Sequence, residues 1–372
     1  MLKRLRIRDY DFKLVLMVVA LACIGVIAVG SAEESLQSRQ LWGVVAGAVL
    51  MLIISFFSYS LVLRFYWIFY ALCIALLVLV WRIGDTGGGA QRWLEIGGEG
   101  GLRFQPSETA KILLILFFAQ FIMKYREKLN TFHIIGICIA LFAVPWYLIY
   151  KQPDLSTSIV LLVLFCVIMF AGGISLKVVF GVLAVAIPAV ALLISLALQP
   201  NSEILEDFQQ NRFFAFFRPE EYATTEAYQQ LNSVKAIASG MLDGKGYRNN
   251  EITSVKNGNF VSAIETDFIF VVIGEEFGFK GSLAVILLLM GISLECISVA
   301  RKSKDLAGVI IASGMGGLIA FQSFVNIGVA TFILPNTGLP LPFVSYGLTS
   351  LISLFMGMGF VLNVRLQAGK NK

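Results

Sequence analysis

Residues 156–173 read STSIVLLVLFCVIMFAGG, and residues 175–198 read SLKVVFGVLAVAIPAVALLISLAL. A bilayer's hydrocarbon core takes about 20 apolar residues in a helix, so each stretch is long enough to span one. Eight further runs of the same kind lie at 14–32, 41–58, 61–81, 107–123, 133–150, 281–299, 306–330 and 349–365. The expected fold is therefore an all-α integral membrane protein of ten transmembrane helices, read as a single domain over residues 1–372.

Composition agrees. Of 372 residues, 58% are hydrophobic and 14% are charged, and mean hydropathy is +0.81. A soluble domain carries about 25% charged residues. This balance excludes a soluble globular enzyme, a disordered tail and a nucleic-acid module. The one histidine, His133, falls at the inner edge of a span, where a Ser-His-Asp or Cys-His site has no use for it. The cysteines Cys23, Cys73, Cys138, Cys166 and Cys296 sit in apolar runs without a CxxC pair, and read as small buried apolar residues.

Basic residues set the orientation. With the N-terminus cytoplasmic, inner segments hold sixteen Lys and Arg and the short outer segments hold five. This is the positive-inside bias, and ten spans return the C-terminus to the cytoplasm. Basic residues ahead of the first run resemble a secretory signal, but nine following spans argue for a retained anchor.

Three outer segments are elaborate. Residues 82–106 hold eight glycines, residues 331–348 hold Pro335, Gly338, Pro340 and Pro342, and residues 200–265 make a 66-residue loop between spans 7 and 8. That loop carries nine acidic, six basic and nine aromatic residues, which suits helical segments on the membrane surface better than a disordered linker. Chemistry is expected on this face.

Ionisable residues at membrane depth are functional candidates. Glu108 and Lys111, three apart on one helix face, form an ion pair or an outer anion site together with Arg92 and Arg103. Asp154 either caps the sixth span or faces a cavity. Asp267 either caps the eighth or is a carboxylate whose pKa apolar neighbours raise, as a general base requires. Arg212 is either a solvated loop arginine or binds phosphate through its planar fork. Glu275 and Glu276 point to different sides of a helix, so at most one shares Asp267's face, and Glu295 reads as structural. Gly240-x3-Gly244-Lys245 has the wrong spacing for a P-loop.

Several motifs together resemble the SEDS family (shape, elongation, division and sporulation) along nearly the whole chain. They are Gly89-Ala90-Gln91-Arg92-Trp93-Leu94, Phe104-Gln105-Pro106-Ser107-Glu108, Gln152-Pro153-Asp154-Leu155, Gln209 to Arg212, and Tyr228-Gln229 with Ser233. Thr266-Asp267-Phe268-Ile269-Phe270 leads into Gly274-Glu275-Glu276, then come Gln322, Asn326 and the run from Pro335 to Gly347. The short N-terminus looks more like the rod-shape branch than the division branch. Ser262-Ala263 stands where the family has Pro-Glu, and Met241 and Leu348 stand where it has glycine.

The resemblance implies a ten-span peptidoglycan glycosyltransferase in the bacterial plasma membrane. Its substrate would be lipid II and its partner a class B penicillin-binding protein supplying the transpeptidase. The rod-shape branch implies an elongation complex with actin-like MreB. By motif, Asp267 takes the family's catalytic aspartate. Arg212, Lys111, Glu108, Asp154, Arg103 and Gln209 are expected at substrate-binding positions. No cofactor is implied, although a divalent cation (Mg or Mn) would also stabilise a departing diphosphate. The rival readings are a lipid II flippase that uses Glu108, Lys111 and Asp154 as a polar path, and a non-catalytic scaffold.

Overall fold

A computed structural model describes residues 10–87, 90–96, 102–197, 207–225, 227–248, 254–255, 261 and 263–368. The chain opens with α1 (Phe12–Ala32), α2 (Glu34–Phe56) and α3 (Tyr59–Val62), which passes through a 3-10 turn into α4 (Tyr66–Ile83). Strands β1 (Asp85–Gly87), β2 (Ala90–Ile96) and β3 (Leu102–Phe104) follow. Helices α5 (Pro106–Lys124), α6 (Phe132–Tyr150), α7 (Leu155–Ala171) and α8 (Leu176–Ala197) come next. Two shorter helices, α9 (Asp207–Phe217) and α10 (Tyr228–Ser239), precede α11 (Ile269–Arg301), α12 (Leu306–Ala330) and α13 (Leu348–Ala368).

Among the described residues, eight helical stretches are long and apolar enough to cross a membrane. They are α1, α2, the α3–α4 unit, α5, α6, α11, α12 and α13. The two remaining expected spans coincide with α7, apolar but only 17 residues long, and α8, 22 residues long.

Local chemistry starts these helices. Asp11 and Asp305 cap α1 and α12, accepting from the backbone N–H of Leu14 at 3.0 Å and of Gly308 at 2.9 Å. Pro106 opens α5 at a position where its missing N–H has no helical partner to lose. Burial then sorts them. α5, α12 and α13 are apolar and buried on most faces, so they form the centre, while α4 and α6 turn most of their apolar surface outward. That outward surface matches the lipid a multi-pass membrane protein meets.

The structure departs from the sequence expectations in five places. The all-α expectation misses the sheet. Strands β1, β2 and β3 form an antiparallel sheet in the order β1-β2-β3, built around the extended run Ala90–Ile96. α2 starts at Glu34 rather than 41, since its charged first turns stand at the end of the bundle. α11 starts at Ile269 rather than 281, and Gly278 breaks it with φ 62° and ψ −158°. The break frees the N–H groups of Phe279 and Lys280, which donate to Met241 and Leu242, while Glu275 and Glu276 carbonyls accept from Lys245 and Gly246. The hydrogen bonds lost from the helix are thus replaced by bonds to residues 241–246.

Of the loop expected on the membrane surface, the described helix α10 is docked on the bundle. α10 packs on α11 and α12, and Gln230 Nε2 donates to Val329 O and Leu334 O, each at 2.9 Å. Finally, Cys23 and Cys166 are exposed, while Cys73, Cys138 and Cys296 are buried. An apolar run in a membrane helix has an apolar outside as well as an apolar core, so hydropathy does not tell the two apart.

The ends of the helices alternate. α1 ends, and α2, α5, α7, α11 and α13 begin, at the end that carries the sheet, α9 and α10. At the opposite end Lys13 pairs with Glu295 at 2.8 Å, and Asn363 bonds Tyr59 N and Ser55 O. The start of α1 and the end of α13 lie at that opposite end.

Candidate functional site

Two cavities open at the end that carries the sheet. The larger, about 590 Å³, is lined by Arg39, Arg92, Arg103, Glu108, Asp267 and Gly338, among others. The smaller, about 330 Å³, has Arg92, Asp154 and Arg212 beside Phe213, Phe321 and Phe324. Its walls are mainly apolar. Arg92 and the α7 N-terminus (Asp154 in one cavity, Thr157 in the other) separate the two spaces.

The sheet exists to carry two of these arginines. On β2, Arg92 and the buried Leu94 share a face by alternation, which directs Arg92 inward. On β3, Arg103 stands opposite Glu95 and its Nε lies 2.9 Å from Glu95 Oε1. Arg103 is exposed and remains at the rim.

Asp267 lies just before α11 and does not cap it. The capping position is Phe268, with no side-chain bond to the helix. Its carboxylate faces the larger cavity, and a Cβ placed on Gly338 would come within 3.1 Å of Asp267 Oδ2. Gly338 has φ +70°, which a side chain would strain. Burial pushes the Asp267 carboxyl up to about 6, and the positive charges of Arg92 and Arg212 offset part of that rise. Burial and the like charge of Arg92 in turn lower the pKa of Arg212, while Asp267 and Asp154 oppose that.

Asp154 caps α7, accepting from Thr157 N at 3.1 Å and Thr157 Oγ1 at 2.9 Å. It also reaches a cavity, with Oδ1 3.7 Å from Arg92 Nη1. Both sequence readings of Asp154 therefore hold at once.

Glu108 and Lys111 close on each other. Lys111 Nζ donates to Glu108 Oε1 at 2.8 Å and to Gln322 Oε1 at 3.1 Å, and Ser350 Oγ donates to Glu108 Oε2 at 2.8 Å. The two side chains are 2% and 1% exposed, so this pair is fully inside the bundle. Glu108 borders the larger cavity, whereas Lys111 lines neither.

The remaining expected residues divide. Arg212 lies on α9 and reaches the smaller cavity. Gln209 is on the same helix, but its side chain lies outside the described residues, as does Ser262. Neither Glu275 nor Glu276 reaches a cavity. Glu275 binds Lys245 Nζ at 2.8 Å, Ser254 Oγ at 3.3 Å and Val255 N at 3.0 Å, and Glu276 accepts from Ser31 Oγ at 2.5 Å. The segment resembling a P-loop thus ties a loop to α11. Arg92 is the central residue that a candidate list based on membrane depth passes over. Its signal was its place in a glycine-rich outer segment with a second arginine.

Chemically, the site offers a carboxylate with an elevated pKa, two arginines beside it and an apolar cavity next door. Such a set can take a proton from a hydroxyl and hold an anionic group attached to a hydrocarbon chain. Among the described residues no group of three or more His, Cys, Asp or Glu is arranged to hold a metal. Arg92 and Arg212 bring positive charge close to Asp267.

Comparisons with known proteins place the chain in a family. Residues 10–370 match the family model described as cell cycle protein, covering FtsW, RodA and SpoVE. The chain is 31% identical to the probable peptidoglycan glycosyltransferase FtsW of Bacillus subtilis, over 98% of this chain and 93% of that protein. It is 32% identical to the peptidoglycan glycosyltransferase MrdB of Escherichia coli, over 95% and 93%. A chain from a structure described as structural coordination of polymerization and crosslinking by a peptidoglycan synthase complex superposes with TM-score 0.79, at 28% identity over 97% of this chain and 99% of that one. The rod shape determining protein RodA of Thermus thermophilus gives 0.69, at 28% identity over 96% of each chain. The chain belongs to the SEDS family, the family of FtsW, RodA and SpoVE.

Proposed function

We propose that this chain is a peptidoglycan glycosyltransferase that polymerises lipid II during cell elongation, with Asp267 as the general base. The observation that carries the reading is the Asp267 carboxyl, pushed up to about 6, lining a cavity beside Arg92. A base with a pKa near the working pH is both ionised and able to take a proton.

In this mechanism the acceptor's N-acetylglucosamine lies in the larger cavity. Asp267 accepts the proton of its 4-hydroxyl while that oxygen bonds to the donor's anomeric carbon. The bond from that carbon to the diphosphate breaks, and the diphosphate leaves with the electron pair. Undecaprenyl diphosphate is released. The donor linkage is α and the polymer linkage β, so one displacement inverts the centre. Arg92 and Arg212 stabilise the charge that builds on the leaving group, and the smaller, apolar cavity receives the start of its hydrocarbon chain. The leaving group needs no acid, since its charge is met by two guanidinium groups.

The same reading takes the chain as one domain of ten spans in the bacterial plasma membrane. The two chain ends are cytoplasmic and the cavities open outward, as the basic-residue bias supports. A class B penicillin-binding protein is the proposed partner, within an assembly that includes MreB. The closed Glu108–Lys111 pair favours catalysis over a flippase's polar path, because both charges are held inside the bundle.

The test uses the purified protein with its partner and lipid II. Wild type is expected to form glycan strands and Asp267→Asn to form none. Equal polymer from both removes Asp267 from its role. Head-group movement across vesicles without polymer supports the flippase.

A further inference from the structure

The stretch that ends in Asp267 is held one carbonyl at a time. Tyr346 N–H donates to Glu265 O at 2.8 Å, Ser345 Oγ donates to Thr266 O at 2.5 Å, and Asn326 Nδ2 donates to Asp267 O at 2.8 Å. The first two bonds come from the segment that follows the 337–340 loop. The third comes from the last turns of α12, and the same Asn326 Nδ2 donates to Leu339 O at 2.7 Å. One amide thus joins the backbone of Asp267 to the loop whose Gly338 faces the carboxylate.

Asn326 is 1% exposed, and its Oδ1 has no hydrogen-bond partner among the described residues. A buried amide oxygen without a partner is costly. What keeps this residue at the position is therefore its NH2 group. One helical turn earlier on the same face, Gln322 Nε2 donates to Pro340 O at 3.0 Å while its Oε1 accepts from Lys111. Two side chains of α12 thereby hold two consecutive carbonyls of the loop, and they link the loop to the buried charge pair on one side and to Asp267 on the other.

We propose that Asn326 is a positioning residue: its amide fixes the backbone of Asp267 against the 337–340 loop, and Gln322 anchors that loop to the Lys111–Glu108 pair. This rests on the reading of Asp267 as the base. The buried pair then serves the reaction without touching substrate. It stiffens the wall opposite the carboxylate, so that Asp267 keeps one distance from the hydroxyl it deprotonates. Small misplacements of a reacting group cost large factors in rate.

The experiment compares wild type, Asn326→Ala and Asp267→Asn in the full chain with its partner, measuring glycan polymerisation from lipid II and amide hydrogen exchange. Asn326→Ala is expected to lower kcat by about tenfold to a hundredfold while KM for lipid II stays within about twofold. Exchange is expected to quicken at residues 263–268 and 338–341 together. Asn326→Ser, which keeps one hydroxyl donor, takes the place of the alanine variant if that one does not fold, with the same changes at smaller size. Unchanged kcat, a raised KM at unchanged kcat, or unaltered exchange in those two segments overturns the proposal. An inactive wild type, or an active Asp267→Asn, instead overturns the reading of the base, and the exchange result still judges the link.

Discussion

Arg92 Nη1 stands 3.7 Å from Asp154 Oδ1, at the partition between two cavities, and Arg92 lines both. Its Nε is buried without a partner among the described residues. A guanidinium whose Nε carries no partner keeps a donor available for an anion that arrives between the cavities. Arg92→Gln is accordingly expected to lower kcat about a hundredfold, the scale of removing one preorganised charge-stabilising donor. Single-turnover polymerisation measures it. Arg92→Lys, which keeps the charge but loses the fork, is expected to recover only part of the rate.

The pH dependence follows from Asp267. Its folded pKa is raised to about 6 from 3.8. The base works ionised, so kcat/KM is expected to fall as pH drops through about 6. The stability sign runs the other way. A carboxyl with a raised folded pKa contributes fully below its unfolded pKa and loses that contribution as pH rises through the folded value. Asp267→Asn is therefore expected to melt at a higher temperature than wild type at pH 8, with a difference that shrinks below pH 6. Thermal unfolding in detergent at both pH values checks this.

The buried Glu108–Lys111 pair gives a third expectation. Removing one partner leaves the other charge unpaired in the bundle, at a cost of about 3–5 kcal/mol. Glu108→Gln and Lys111→Met should each lower the melting temperature markedly. The double variant should recover much of the loss, because it leaves no uncompensated charge. A double-variant cycle on melting temperature provides the measurement.

Gly278 tests the kink in α11. At φ 62° an alanine is strained, and its Cβ would meet the backbone of Gly244 and Leu242. Gly278→Ala is expected to cost about 1–3 kcal/mol. Limited proteolysis at residues 241–246, which bond to the kink, should quicken in the variant.

Hydropathy alone placed helices at all ten expected runs, because 20 apolar residues have few other uses in a chain so poor in charge. The i, i+3 spacing of Glu108 and Lys111 disclosed their pairing, since helix geometry is local. Asp267 stood out as a carboxylate at the start of an apolar stretch. The sequence could not say that Lys111 faces inward to Gln322, or that Arg92 rather than Arg103 reaches the centre. Those outcomes depend on which helix packs against which, and on a sheet that eight glycines and a short extended run hide from a helix-period reading.

The chain by itself determined the membrane class, the helix positions and the identity of the ionisable groups, all of which follow from local composition and period. Tertiary structure alone decided which of those groups meet. Asp267 lies 175 residues after Arg92 in the chain, and only the packing of β2, α9 and the start of α11 at one end of the bundle brings Arg92, Arg212 and Asp267 into one electrostatic environment. Burial in that shared place, which no stretch of sequence contains, sets the carboxyl's proton affinity.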